Sequence, residues 1–143
     1  MALSAKLYFG NNQIGAYSQQ YDVVECKYRF NRQYNYYHPS SDAQCDNIKL
    51  TIVAPNMADL NLYEWYINQS ILSGKITFEL MPDATIELAQ SKEIVFEDAA
   101  CYSIEEDYHI DRNQQRLLTL EISAKEVVIN KIKFERYDDK QNI

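Results

Sequence analysis

Glycine, proline and basic residues are scarce in this sequence, and each shortage excludes a class of protein. Glycine and proline occur three times each, too seldom for a collagen-like or a low-complexity disordered chain. The 14 basic residues are outnumbered by 21 acidic ones, which gives a formal charge of −7. Proteins that bind nucleic acid or an anionic membrane need an excess of positive charge, so neither partner is predicted.

Long apolar runs and targeting signals are also missing. No run of apolar residues approaches the length of a membrane span. The opening segment, MALSAKLYFG, has no basic region followed by an apolar one, so neither a secretory signal nor a membrane anchor is predicted. We therefore expect the protein to be made and folded in the cytoplasm.

Cysteine is limited to Cys26, Cys45 and Cys101, an odd number at wide spacings. There is no C-x-x-C pair and no cysteine–histidine pair at zinc spacing. The sequence therefore predicts thiols rather than a disulfide framework, and it predicts no metal site and no cofactor. Cys26 falls on the apolar face of a predicted strand, where it suits a small core residue.

Residues that carry catalysis form no recognisable motif, so no enzyme activity and no catalytic residue is predicted. The signatures of serine hydrolases, zinc proteases, phosphate-binding loops and dinucleotide-binding folds are all missing. Three alternatives stay open because reactive groups meet in space: a thiol paired with His38 or His109, a hydrolase that uses an unspecified pair of carboxylates, and a cation site formed by acidic residues. The acidic residues concerned are Glu105, Glu106, Asp107 and Asp111. They lack the spacing and the central glycine of a calcium-binding loop, which favours a solvated strand end.

Alternation of apolar and polar residues is the dominant positive signal. In residues 24–31, one face of a predicted strand carries Val24, Cys26, Tyr28 and Phe30. The same period recurs at residues 47–53, 75–81, 117–124 and 131–137, with further strands at 5–9 and 93–104. Within the last of these, the DAAC step predicts a bulge or a register change. We predict one domain over residues 1–143, mainly β, folded as a closed or nearly closed antiparallel β-barrel or sandwich.

One segment, DLNLYEWYINQSILSGK, departs from this alternation and predicts a single α-helix over about residues 59–73. Apolar residues recur there at helical spacing, namely Leu60, Tyr63, Ile67 and Ile71. Asp59 can cap the first turn, and Gly74 suits the left-handed position that follows the last turn.

Tyrosine is abundant, with 12 residues against a single tryptophan, and it suits half-buried faces and interfaces. On the predicted helix, Tyr63, Trp65 and Tyr66 fit either the core or a contact between subunits, and both alternatives are open. More tyrosines lie in FNRQYNYYHPSSDAQCDN, between two predicted strands. We predict a projecting loop over residues 34–46 and a flexible tail over residues 137–143.

The order of these elements resembles the Hcp-like tube proteins of type VI secretion, in the form found in Bacteroidetes. The likeness extends from about Lys6 to Lys131. It rests on the segments AKLYFG, VVECKYRFNRQ, IKLTIVAPN, LYEWYINQSILSGKITF, KEIVFEDAACYSIEEDYHID and LLTLEISAKEVVIN. The most characteristic pieces are the YEW helix followed by SGK and a strand, and the FEDA step followed by Cys101.

The resemblance implies a β-barrel protomer with a flanking helix and no catalytic role. Six protomers would close into a ring with a wide pore, rings would stack into a tube, and a contractile sheath would drive the tube into a target cell. Implied partners are further copies of the chain or of paralogues, together with spike, sheath and effector proteins, the effectors carried in the pore. The implied location is the cytoplasm during assembly and the outside of the cell after secretion.

In this family the loop after the second long strand reaches the neighbouring ring, and residues 34–46 occupy that position. The resemblance thus implies ring-stacking contacts by Tyr34, Tyr36, Tyr37, His38 and Asp42. Related chains often carry glycine and arginine there, and neither occurs between Tyr34 and Asp46. Stacking on a paralogue and a specialised, cargo-binding ring are therefore open alternatives to self-stacking. The alternative function is a monomeric β-barrel or sandwich that binds a small ligand or a protein partner.

Overall fold

The alternating segments form strands and the YEW segment forms a helix. The computed structural model describes residues 2–31, 34–35, 38–39, 44–45, 47–81, 90–110, 115–130 and 132–135. The first strands are β1 (Ala2–Asn11), β2 (Ala16–Lys27), β3 (Phe30–Asn31), β4 (Tyr34–Asn35), β5 (His38–Pro39), β6 (Gln44–Cys45) and β7 (Ile48–Val53). They are followed by α1 (Asn61–Ile67), β8 (Leu72–Met81), β9 (Gln90–His109), β10 (Gln115–Ser123), β11 (Glu126–Ile129) and β12 (Ile132–Glu135).

Six of these strands close into an antiparallel barrel. They are hydrogen-bonded in the order β10–β7–β2–β1–β8–β9, and β9 pairs again with β10, which joins the two ends of the sheet. The first half of β9 also pairs with β11, on the edge opposite β8, and β11 pairs with β12. Closure removes the two edges that an open sheet would expose to other chains. Over the described part of the chain, the prediction of a mainly β, closed antiparallel barrel with one helix is confirmed.

The longest strand, β9, contributes to both halves of the barrel wall. Its first half pairs with β8 and its second half with β10. Between the halves, Asp98 has a φ of 53°, and the pairing with β8 shifts register between Leu72 and Gly74. The Asp98 N–H donates a hydrogen bond to Ser73 Oγ, at 3.0 Å. Irregularities of this kind bend a strand, so the bulge predicted in the DAAC step is confirmed.

Inward-facing side chains fill the barrel with apolar volume. The fully buried residues of β7 and β10 are those that the alternation predicts: Ile48, Leu50, Ile52, Leu118, Leu120 and Ile122. The prediction that Val24 faces inward is wrong, since its side chain is 55% exposed. The register between β2 and β7 shifts between Val23 and Glu25, and this shift turns Val24 outward.

The helix is shorter than predicted, and its apolar face is different. It spans Asn61–Ile67 instead of about residues 59–73. Gly74 does not end it: Gln69 holds the left-handed conformation, with a φ of 54°, and Gly74 lies in β8. Three residues of the predicted apolar stripe are largely exposed, namely Leu60, Ile67 and Ile71. The buried side carries Leu62 and Trp65 instead.

Pairing with β1 and β9 explains why residues 72–74 join a strand. Leu72 pairs with Ala99 on one side of β8, and Gly74 pairs with Phe9 of β1 on the other. A Cβ atom at Gly74 would overlap the backbone oxygen of Tyr8, so this glycine permits close contact between two strands. Long-range strand pairing therefore outweighs the local helical pattern.

Trp65 lies in the core. Its side chain is 3% exposed, and its ring meets the Phe9 ring edge-on, with 5.3 Å between the ring centroids. The indole Nε1 donates a hydrogen bond to the Ala99 carbonyl oxygen, at 3.1 Å. Of its predicted companions, Tyr63 is half-buried and Tyr66 is 39% exposed.

Candidate functional site

Residues between β2 and β7 form two short paired segments. Phe30 pairs with Cys45 and Asn31 with Gln44, while Tyr34 pairs with Pro39 and Asn35 with His38. The backbone of this segment thus forms two antiparallel pairs, β3 with β6 and β4 with β5. Tyr36, Tyr37 and Asp42 lie outside the described residues, as do the side chains of Tyr34 and His38. The assignment of ring-stacking contacts to these five residues stays a prediction.

The base of this segment is attached to the barrel by aromatic contacts. The rings of Tyr28 and Phe30 meet edge-on, with 5.8 Å between their centroids. Lys92, near the start of β9, donates a hydrogen bond to Tyr28 Oη, at 2.5 Å. Phe30 and Cys45 also pack against the core. The position of the segment relative to the barrel is therefore fixed at its base.

A polar network joins α1 to the barrel wall. Tyr63 Oη donates to Glu106 Oε2 at 2.8 Å, and Arg116 Nη2 donates to Glu106 Oε1 at 2.8 Å. Arg116 Nη1 donates to the Pro55 carbonyl oxygen at 3.0 Å. The guanidinium group lies 5.7 Å from the centroid of the Tyr108 ring. Arg116 therefore connects the segment before the helix with two residues of β9.

Hydrogen bonding and burial shift the pKa values of Glu106 and Tyr63, and the hydrogen bond to Glu106 raises the pKa of Arg116. The hydrogen bond from Arg116 lowers the pKa of the Glu106 carboxyl, so this group is ionised at neutral pH. Burial, together with the hydrogen bond to Glu106, raises the pKa of Tyr63 to about 12. Tyr63 is therefore a hydrogen-bond donor at any physiological pH.

The network borders a cleft of about 380 Å³ between α1 and the adjoining ends of β9 and β10. The residues that line it are Pro55, Met57, Asp59, Leu60, Leu62, Tyr63, Glu106, Tyr108, Arg116 and Leu118. We refer to it as the Arg116 cleft. The sequence did not reveal this cleft, because Arg116 and Glu106 meet only once β9 pairs with β10. In this pairing Arg116 lies opposite Tyr108 and Leu118 lies opposite Glu106, which brings the Arg116 and Glu106 side chains within reach of each other.

The catalytic and cation-binding alternatives receive no support from the described residues. Burial raises the pKa of Cys26 to about 12 and also raises that of Cys101, so these thiols are protonated and weakly nucleophilic. In the described part of the chain, no three residues of the His, Cys, Asp and Glu types are grouped to hold a metal ion. Asp111 and the side chain of His109 lie outside it.

Large apolar side chains are exposed at several places on the surface. Those at least half exposed are Leu3, Ile14, Val24, Met57, Leu60, Ile67, Ile71, Tyr102, Tyr108 and Ile110. Met57, Leu60, Ile67 and Ile71 lie on α1 or within a few residues of it. Where such side chains form a large contiguous patch, the patch marks a surface for contact with other proteins, whereas single exposed apolar side chains are common on any protein. No helix in the described residues is long and apolar enough to cross a bilayer.

Comparison with known proteins decides the family. A family model for hemolysin coregulated protein Hcp (TssD) matches residues 1–137. The chain belongs to the Hcp (TssD) family. Hcp proteins form the oligomeric rings and the tube of the type VI secretion system and are secreted components of it. This chain is therefore a subunit of a type VI secretion tube.

Solved Hcp structures share the fold at low sequence identity. Hcp1 from Flavobacterium johnsoniae is 16% identical, with a TM-score of 0.66 over 93% of this chain and 99% of that one. Hcp1 from the E. coli EAEC 042 pathovar is 12% identical, with a TM-score of 0.67 over 95% of this chain and 99% of that one. A chain of the six-fold symmetrised baseplate of the anti-feeding prophage is 12% identical, with a TM-score of 0.51 over 89% of this chain and 91% of that one. A search of curated protein sequences gave no match.

Proposed function

We propose that this Hcp-family protein is a non-catalytic subunit of the inner tube of a type VI secretion system, and that six copies close into a ring. The match to the family over residues 1–137 carries this proposal. The closed barrel and the likeness to Hcp1 structures support it. A ring needs a heterologous interface whose rotation closes after a fixed number of copies.

The exposed apolar residues support contacts between copies. Val24 lies on β2, and Leu60, Ile67 and Ile71 lie around α1, where each is more than half exposed. A heterologous interface uses two different patches on each chain, and exposed apolar residues occur on both of these elements. Burial of such side chains against a neighbour stabilises the ring by roughly 25 cal/mol for each Å² of apolar surface removed from water.

Stacking of rings is assigned to the segment over residues 34–46. Its aromatic residues Tyr34, Tyr36 and Tyr37, with His38 and Asp42, are proposed to contact the adjacent ring. The paired backbone at its base supports a defined rather than a random direction for the segment. Because the segment lacks glycine and arginine, stacking on a paralogue and a specialised, cargo-binding ring are alternatives to stacking on identical rings.

The remaining partners and the location follow from the same role. Spike, sheath and effector proteins are the proposed partners, with effectors carried in the pore. The subunit is proposed to assemble in the cytoplasm and to leave the cell with the tube. No cofactor, metal or catalytic residue is part of this proposal.

Electron microscopy of negatively stained protein at micromolar concentration tests the proposal, together with light scattering of the same sample. Six chains of 16.8 kDa should give particles of about 100 kDa with six-fold symmetry and a central hole. Small particles with the mass of a single chain, both alone and after mixing with paralogues from the same secretion system, would refute ring formation. That result would favour the monomeric binding module.

A further inference from the structure

The barrel wall turns at two strands that lie on opposite sides of it. β2 pairs with β1 through residues 16–22 and with β7 through residues 23–27. β9 likewise pairs with β8 in its first half and with β10 in its second half. In the closed order β10–β7–β2–β1–β8–β9, two strands separate β2 from β9 in each direction. The two corners are therefore placed as a head-to-tail contact between copies requires.

Four strands between these corners, β2, β7, β10 and β9, form one wall of the barrel. Alternate residues of β7 and β10 are buried in the core, so the residues between them point outward. One row of outward residues crosses the whole wall: Glu25 pairs with Thr51, Thr51 with Thr119, and Thr119 with Glu105. The hydroxyl oxygens of Thr51 and Thr119 are 3.2 Å apart. The outer face of this wall is thus continuous from one corner to the other.

Basic residues gather at the β2 end of this face. Lys27 of β2 lies directly opposite Lys49 of β7, and both side chains are exposed. Like charges directly opposite each other destabilise a sheet. On its other side Lys49 lies opposite Glu121 of β10, but within the described part of the chain neither lysine forms an ion pair. We refer to Lys27 and Lys49 as the basic corner.

Acidic residues gather at the β9 end of the same face. Glu105 and Asp107 point outward from the second half of β9, where it pairs with β10, and both are exposed. No described residue forms an ion pair with either carboxylate. Arg116, the cation of β10, is engaged by Glu106 in the Arg116 cleft. We refer to Glu105 and Asp107 as the acidic corner.

We propose that the basic corner of one copy pairs with the acidic corner of the next copy. This inference rests on the proposed ring and names the charged residues that join its subunits. An unrelated acidic partner would account for the two lysines alone and leave the carboxylates of the other corner unpaired. A second copy of the chain satisfies both corners with one contact. Because Glu25 lies beside Lys27 on β2, the two corner strands are staggered so that Lys27 faces the carboxylates.

Two double variants test this contact by light scattering and electron microscopy. Lys27→Glu with Lys49→Glu makes both corners acidic, and Glu105→Lys with Asp107→Lys makes both corners basic. In either variant alone, the protein concentration at which half of the chains are in rings should rise at least about tenfold, because repulsion replaces attraction at every interface. An equimolar mixture of the two variants should restore rings. Chains of the two kinds can alternate around a six-membered ring, and every contact then joins opposite charges again.

Control variants carry the same changes in net charge away from the two corners. Lys6→Glu with Lys125→Glu matches the first double variant, and Glu64→Lys with Glu79→Lys matches the second. Both controls should leave the assembly concentration unchanged within about twofold, as expected for exposed charges far from a contact. Tryptophan fluorescence like that of the unchanged protein confirms that each variant is folded.

The outcomes separate this contact from the ring itself. Rings formed by either corner variant alone, at the concentration that the unchanged protein needs, would overturn the contact and leave the proposed ring in place. A mixture of folded corner variants that forms no rings would do the same. Equal losses in the control variants would show that net charge governs assembly, which also overturns the contact. If the unchanged protein stays a single chain, a contact between its copies is refuted, whereas rings formed with a paralogue would retain the tube function.

Discussion

Replacing Trp65 by phenylalanine tests whether this residue stabilises the subunit itself or a contact between subunits. The substitution removes the hydrogen bond from Nε1 to the Ala99 carbonyl, worth about 0.5–1.5 kcal/mol. The smaller ring also leaves unfilled volume in a site that is 3% exposed. That loss is about 1–2 kcal/mol, scaled from the 3–5 kcal/mol for complete truncation of a buried aromatic residue. We expect the free energy of unfolding to fall by about 1.5–3.5 kcal/mol in total.

Urea unfolding followed by far-UV circular dichroism measures this change, because the variant lacks the chain's single tryptophan. The loss should be the same at two protein concentrations tenfold apart, since the residues around Trp65 belong to its own chain. Tyr66→Phe is the control, on the same helix but 39% exposed, and should change stability by less than about 0.5 kcal/mol. A loss that depends on protein concentration would show that Trp65 stabilises mainly a subunit contact. A loss below about 1 kcal/mol at both concentrations would refute the magnitude derived from its burial and hydrogen bond.

Three further predictions address the strand contact, the polar network and the stacking segment. The Gly74→Ala variant should lose about 2 kcal/mol or more of unfolding free energy, measured with urea, because the added Cβ overlaps a neighbouring backbone. The Gly15→Ala variant, where the added Cβ meets open space but φ is 68°, should lose about 1 kcal/mol. The native pKa of Glu106 lies below its ordinary value of 4.5, so the stability that its ionised form gives the fold should be complete above pH 4.5 and decline as the pH falls through the native pKa. The Glu106→Gln variant should therefore be less stable at pH 7, and its stability should depend less on acid. A variant whose stability falls with acid as steeply as that of the unchanged protein would contradict this. Replacing Tyr36 and Tyr37 by serine should leave rings intact and shorten stacked tubes in electron micrographs, whereas dissociation into single chains would place these residues in the ring interface.

The strands were predictable wherever one face is buried and the other is solvated. Residues 48–53 and 117–123 have this arrangement, and their buried residues follow the period of two. Val24 was misassigned because a register shift in β2 changes which residue faces inward. A single extra residue reverses the side of every later side chain, and the residues themselves do not mark where that shift occurs.

The helix was predictable in existence but not in length. Residues 59–73 contain enough apolar residues at helical spacing to suggest three or four turns. Leu72 and Gly74 are instead held in β8 by pairing with Ala99 and Phe9. These partners lie 27 and 65 positions away in the chain, so no local pattern reports them.

The sequence by itself determined the mainly β class, the presence of a helix after residue 59, and the segments that resemble the Hcp family. Those properties depend on local periodicity, composition and the order of elements along the chain. Only the tertiary structure decided that β9 closes the barrel by pairing with both β8 and β10, and that Trp65 is internal. It alone brought Glu106 and Arg116 together beside Tyr63 and formed the Arg116 cleft. These features arise from contacts between residues far apart in the chain, whose geometry is set by strand register and by the closure of the barrel.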